Sequence, residues 1–465
     1  ITNRDRMFDC PQNLREEEMF EVPEWAANKV VYQIFPSRFA ATEPVDKELW
    51  YKAPITPMDD LHGNLRGIIE HMDDIQNLGI DVLYMTPIFQ SNSCHKYDTT
   101  DYYQIDPSFG TTEDLKELVQ KAHERGMKVV LDAVYNHTGR EFFAFADILE
   151  NGEKSKYRDW YFIDGFPLKS EWGEIPNFKC FGYYGGMPKL NLKNPEVEKY
   201  ITDVACYWIK ECDIDGWRLD VGDEISHFFW KNFRKAVKAV KKDMLIIGEI
   251  WHYAGDFLEG DEWDTVMNYP FYLNLIDLLA DEKITVSQFV QNLGYLKGRL
   301  HKNCYPLMWN LIDSHDTARF LHLCNDNKKK QHLAAAFQLL LPGMPMIYYG
   351  DEYAMPGAND PDCRRGMYWD EEYQDKEMYE WYKRLIQVRK SHACIVEGEL
   401  AGSVTEDEEG TVVLIRKNGE ETIAMIFNCS SSAKKFNEYT QKYNLLTENT
   451  FDGNVEGFDA AVIVL

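Results

Sequence analysis

The feature that most constrains this chain is a repeated alternation of short apolar runs with longer stretches of helical spacing. Candidate strands lie at 30–34, 82–86, 128–131, 216–219, 244–247, 265–267, 307–312 and 345–348. Most are apolar throughout, as strands covered on both faces must be. Between the first two, Leu65, Ile68, Ile69, Met72, Ile75 and Leu78 recur at helical spacing, and Gly79 stands where a left-handed cap would close the helix. A second helix runs from 112 to 125 and stops at Gly126. Others open at Pro195, with Asn194 as N-cap, and near Ser226, with further helical stretches at 285–300, 328–341 and 376–390. About eight strands, each feeding a helix, identify an α/β chain and favour a (β/α)8 TIM barrel over a doubly wound sheet.

Two segments depart from this rhythm. About 55 residues rich in Gly, Pro and aromatics separate Asp132 from the helix at Pro195, and a long excursion on the strand-to-helix side is usually functional. After 390 the pattern changes to short alternating strands such as 412–415, 423–427 and 461–465, which read as an antiparallel β-sandwich. The expected division is an N-terminal extension at 1–23, a barrel at 24–137 and 193–390, a subdomain inserted after strand 3 at 138–192, and a C-terminal sandwich at 391–465.

Charge narrows the partners. Fifty Lys and Arg stand against 77 Asp and Glu, a net charge of −27, so phosphate backbones and anionic membrane surfaces are disfavoured. No apolar stretch approaches the roughly 20 residues that span a bilayer, and no leader pattern opens the chain. The ten cysteines are scattered, without a CxxC pair, and read as reduced thiols of a cytoplasmic protein.

In a barrel the C-terminal ends of the strands converge on one face, where catalysis sits. The polar residues ending the candidate strands are Asp132 with Asn136 and His137, Arg218 with Asp220, Glu249, and His315 with Asp316. Several acids at one mouth raise one another's pKa, which a purely structural protein has little use for. Glycoside hydrolysis has such a use: one carboxylate attacks the anomeric carbon while a second, held protonated, donates to the leaving oxygen. Arg218 lies two residues before Asp220 on a strand, so both point the same way and its cation favours an ionised Asp220. Glu249 ends an apolar run, and a desolvated site raises its pKa towards that of a general acid.

Four strings carry a specific resemblance: Asp132-Ala133-Val134-Tyr135-Asn136-His137, Gly216-Trp217-Arg218-Leu219-Asp220, Gly248-Glu249-Ile250-Trp251 and Asp313-Ser314-His315-Asp316-Thr317. Their order and spacing resemble the motifs of glycoside hydrolase family 13, the α-amylase family, over roughly residues 24–391. The resemblance implies that Asp220 is the nucleophile, Glu249 the acid/base and Asp316 a third carboxylate that binds sugar hydroxyls. It places His137, Arg218 and His315 around the same subsite, with Tyr97 stacking on the sugar, and implies retention through a covalent glucosyl-enzyme. The string Met187-Pro188-Lys189-Leu190-Asn191 is similar to the neopullulanase, cyclomaltodextrinase and maltogenic amylase subfamily. By that similarity Asp360 and Arg364 hold the next sugar, and Glu224 matches a position linked to acceptor binding.

The implied activity is hydrolysis of α-1,4-glucosidic bonds in maltooligosaccharides, cyclodextrins or pullulan, with α-1,6 cleavage and transglycosylation in reach. Alternatives are an α-glucosidase or glucan-rearranging member of the family and, from another class, a non-catalytic amylase-like scaffold. The expected partner is an α-glucan oligosaccharide, with no nucleic acid or membrane, and the expected state is a monomer or weak homodimer. No cofactor is implied. Calcium is compatible with the family but not expected, because the chain lacks an Asn-Gly-Asp run after its first strand and carries Asp223-Glu224 where secreted α-amylases have Lys-His. Only about 23 residues precede Pro23-Glu24-Trp25, too few for the N-terminal β-domain usual in the subfamily. Either that domain has been removed from this sequence or the enzyme never had it; in the second case an open cleft would favour linear over cyclic glucans.

Overall fold

The computed structural model describes residues 21–169 and 175–465. Most of the expected N-terminal extension, with Cys10, and residues 170–174 of the expected insertion lie outside the described residues.

Among the described residues, eight parallel strands form one sheet: β1 Val31–Ile34, β2 Val82–Met85, β3 Lys128–Ala133, β4 Gly216–Leu219, β5 Leu245–Gly248, β6 Thr265–Val266, β7 Trp309–Asn310 and β8 Met344–Tyr348. Their order is β6-β5-β4-β3-β2-β1-β8-β7, and a parallel bridge from Met267 to Trp309 closes the ring. Each strand is thus hydrogen-bonded to its neighbours in chain order, as a (β/α)8 barrel requires. Side chains inside the ring, among them Val31, Val82, Tyr84, Val130, Ile247, Trp309 and Met346, fill it as a packed core.

The helices follow the sequence signals closely. Asn194 accepts a hydrogen bond from the Glu196 amide at the start of Pro195–Cys212, and Ser226 caps His227–Val240. Gly79 ends its helix at φ 101°, a conformation that a Cβ would strain. The expected helix over 65–78 is two, Leu65–Glu70 and Met72–Leu78, broken at His71, whose ring stacks on Trp369 at 3.6 Å. The expected strand at 307–312 pairs only over Trp309–Asn310, and its first residue, Leu307, belongs to the preceding turn Tyr305–Leu307. Among the helices not foreseen is Tyr269–Leu275, set directly after β6 by Asn268 as cap and Pro270 in the first turn.

The segment after β3 folds back on the barrel. It carries the helix Phe143–Asn151 and antiparallel bridges between Tyr161 and Leu190, Ile163 and Phe178, Cys180 and Pro188, and His137 and Lys189. The last bridge sets Lys189 beside the end of β3. The C-terminal region is a six-stranded antiparallel sheet facing a two-stranded ribbon, with Val413, Ile426, Phe436 and Phe451 packed between them. Phe427 of that sheet stacks at 4.2 Å on Phe337 of the barrel helix Lys328–Leu340.

The two ends of the barrel treat acids differently. At the N-terminal end Asp215 is enclosed, and burial alone would raise its pKa. His123 at 2.7 Å, Lys128 and Lys241 at 2.9 Å and the Val129 amide reverse this and hold it well below the usual carboxylate range. Two ammonium groups and an imidazole serve one acid there. At the C-terminal end the ratio is inverted.

Candidate active site

Arg218 has no solvent-exposed surface, and its guanidinium gathers acids from four strand ends. Nη1 donates to Asp132 Oδ1 at 3.0 Å and to Asp220 Oδ1 at 3.1 Å. Nη2 lies 2.9 Å from Glu249 Oε1 and 3.9 Å from Asp316 Oδ2. The convergence follows from register: Asp132 on β3 pairs with Arg218 on β4, while Asp220 and Glu249 directly follow β4 and β5.

The acids differ in how their oxygens are used. Asp132 also accepts from Tyr84 Oη at 2.7 Å and Tyr97 Oη at 3.0 Å, so both its oxygens are bonded. Glu249 accepts the Val221 amide at 2.9 Å and the Trp251 indole N–H at 3.2 Å. Asp220 Oδ2 is buried yet receives no hydrogen bond from any described residue. It is the bare oxygen at the mouth.

Burial is the largest influence on each. It lifts Asp132 to about 6 against the pull of Arg218, and it lifts Glu249 and Asp220 above the ordinary carboxylate range. At Asp220 the charge of Glu249 is the second upward push, ahead of Arg218's downward pull. The mutual repulsion expected of acids at one mouth thus outweighs the pull of Arg218 expected from its place two residues before Asp220. In the enclosed site an ionised Asp220 therefore goes with a protonated Glu249, since the proton on one removes the repulsion at the other.

The remaining expected residues fall into two groups. His315 is buried, its Nδ1 accepts from Gln33 Nε2 at 2.7 Å, and its proton therefore sits on Nε2, next to Tyr97 Oη and 3.1 Å from Asp316 Oδ2. Burial holds this ring neutral. Arg364 donates from Nη2 to Asp316 at 3.3 Å and from Nε to the His315 carbonyl at 2.8 Å, and its Nη1 pairs with Asp360 at 2.7 Å. Tyr97 is held by its hydroxyl and stacks on His315 at 5.5 Å. Asp316, His315, Arg364, Asp360 and Tyr97 thus form one wall.

His137 and Glu224 sit further out. His137 is only 1% exposed, its Nε2 is 3.1 Å from the Tyr97 carbonyl, and Phe181 stacks on its ring at 5.1 Å. Burial lowers its pKa to about 3, so it is neutral. Glu224 is exposed and paired with Lys189 at 2.6 Å, away from the guanidinium.

Sequence reasoning passed over Gln33, Tyr84, Trp251 and Lys189. Gln33 carried a signal, being a polar residue inside an otherwise apolar strand. Trp251 and Lys189 stood inside strings that were read for family pattern alone. Trp251 is 43% exposed, stacks on the buried Tyr269 at 3.9 Å, and bonds the acid at Glu249.

The geometry can now be set beside known proteins. The family model for the α-amylase catalytic domain matches residues 33–398. The chain belongs to the α-amylase family. It is 46% identical to a cyclomaltodextrinase of Geobacillus thermopakistaniensis over 430 residues, which are 92% of this chain and 73% of that protein. It is 42% identical to neopullulanase 2 of Thermoactinomyces vulgaris, over 89% of this chain and 72% of that one. Among solved structures, the cyclic α-maltosyl-(1→6)-maltose hydrolase of Arthrobacter globiformis superposes with a TM-score of 0.87 at 35% identity, covering 96% of this chain and all of that one. These relatives are glycoside hydrolases of α-glucans, and this chain is a glycoside hydrolase of the same kind. The α-glucosidase and scaffold alternatives are not favoured.

The Trp251 indole favours the charged form of Glu249, so its loss raises the pKa of the acid. If Glu249 is the acid, Trp251→Phe is expected to move the alkaline limb of the kcat–pH profile up. A limb that stays in place or moves down would contradict this, as read from initial rates on a maltooligosaccharide across pH.

Proposed function

We propose that Asp220 is the nucleophile and Glu249 the acid/base of a retaining hydrolase of α-1,4-glucosidic bonds. The observation that carries this reading is the bare, buried Oδ2 of Asp220, whose Oδ1 rests on the same guanidinium that holds Glu249. In the first step Oδ2 bonds to the anomeric carbon as the bond to the leaving oxygen breaks, and Glu249 gives that oxygen its proton. The departing glucan leaves with a free hydroxyl. In the second step Glu249, now ionised, takes a proton from water as it attacks the same carbon, and the ester to Asp220 breaks with overall retention. Asp316, flanked by His315 and Arg364, offers its more exposed carboxylate to sugar hydroxyls.

The substrates fitting this reading are maltooligosaccharides, cyclodextrins and pullulan, with α-1,6 cleavage and transfer to a second sugar alongside hydrolysis. The relatives' names, which include enzymes acting on cyclic dextrins and an α-1,6-linked cycle, support this range. Asp360 and Arg364 would hold the next glucose, and Glu224, steered by Lys189, would face an acceptor.

We also infer that the enzyme works without calcium, as a monomer or weak homodimer in the cytoplasm. Lys189 Nζ donates to the backbone carbonyl of Glu224 at 3.1 Å, at the place where the resemblance puts a calcium-holding carbonyl. An ammonium there does a cation's work. The cysteines among the described residues are free, which suits a reducing compartment. No helix among them is long and apolar enough to cross a membrane.

Asp220→Asn is expected to lower kcat on maltotriose, β-cyclodextrin and pullulan by about 10⁴-fold or more, with product analysis as the measure. Undiminished turnover refutes the mechanism. Exhaustive chelation is expected to leave activity and melting temperature unchanged, and collapse of either removes the calcium inference.

A further inference from the structure

The barrel helix Val286–Arg299 is unusual for its lack of cover. Only Val286 and Phe289 of its fourteen residues are buried, whereas the barrel helix Lys328–Leu340 buries nine of thirteen. Between its outer half and the loop after β5 runs a groove of about 430 Å³. Trp251, Tyr253, Leu273, Asn292, Tyr295 and Arg299 line it. Tyr295 is 65% exposed and Leu273 46%, so large apolar surface faces solvent at one place.

The aromatic groups are not loosely displayed. The Arg299 guanidinium lies 4.1 Å above the Tyr253 ring and 5.0 Å from that of Tyr295. Its Nη1 donates to Tyr295 Oη at 2.8 Å, and Tyr253 Oη donates to the Arg299 carbonyl at 2.9 Å. Asn292 is fixed by donating to Asn274 at 2.8 Å. Rigid ring faces bordered by planar amide and guanidinium groups suit a ligand with apolar C–H faces and hydroxyl edges.

The groove is continuous with the site through one residue. Trp251 bonds Glu249 through its indole nitrogen, rests one face on Tyr269, and extends into the groove. If Glu249 protonates the leaving oxygen, Trp251, bonded to that acid, stands beside the departing glucan. We propose that the groove binds the distal end of a long linear α-glucan on the leaving-group side, with Tyr295 as a stacking platform. The inference rests on the assignment of Glu249 as the acid.

The test compares wild type, Tyr295→Ala and Tyr295→Phe on maltotriose and maltoheptaose. For Tyr295→Ala the ratio of kcat/KM on the long substrate to that on the short one is expected to fall about three- to tenfold, carried by KM for maltoheptaose. Tyr295→Phe, which keeps the ring, is expected to retain most of the ratio. An unchanged ratio for the alanine variant, or an equal fall for both variants, overturns the proposal. Sedimentation showing that Tyr295→Ala breaks a dimer apart assigns the face to a second copy and overturns it too. A wild type that hydrolyses neither glucan sinks the functional reading and this inference together, whereas hydrolysis with an unchanged ratio sinks this one alone.

Discussion

A guanidinium sealed inside a protein is tolerable only if anions meet it there, since an uncompensated buried charge costs several kcal/mol even after relaxation. Arg218 on β4 is sealed, and Asp132, Asp220 and Glu249 are drawn to it from adjacent strand ends, with Asp316 close by. One cation cannot neutralise that many acids. The excess is what gives the site its chemistry, because it forces a proton to remain among carboxylates that would be ionised in water. At the opposite end Asp215 meets two ammonium groups and the Val129 amide of the neighbouring strand, and stays ionised. Stability and reactivity are thus separated along the barrel axis by the local ratio of cations to acids.

Much of this architecture was legible in the chain because the signals are local. Apolar runs bounded by caps, such as Gly79 and Asn194, announce strand and helix ends without knowledge of partners. The alternation of strand and helix then leaves few topologies, and the acids at strand ends follow. What escaped depends on contacts far apart in sequence. The break at His71 coincides with a stack on Trp369, almost 300 residues away. At the site, Gln33 sets the tautomer of His315, a relation between the first strand and the loop after the seventh. No spacing rule connects those two residues.

The electrostatics of the site depend on distances that sequence spacing does not show. Two residues apart on a strand, Arg218 and Asp220 suggest a simple ion pair. Burial and the neighbouring Glu249 turn that pair into a shared titration, in which the protonation of one acid permits the ionisation of the other. The inserted segment contributes through Lys189, whose bridge to His137 seats its ammonium on Glu224.

The central claim is that the bare oxygen of Asp220 forms the covalent bond. It is tested most directly by trapping the enzyme with an activated fluoro-glucoside that forms the glycosyl-enzyme quickly and releases it slowly, followed by peptide mass spectrometry. The account predicts a single glycosyl ester on the peptide carrying Asp220. Labelling of Asp132, Glu249 or Asp316 instead, or no label on an enzyme that turns over maltotriose, would contradict it.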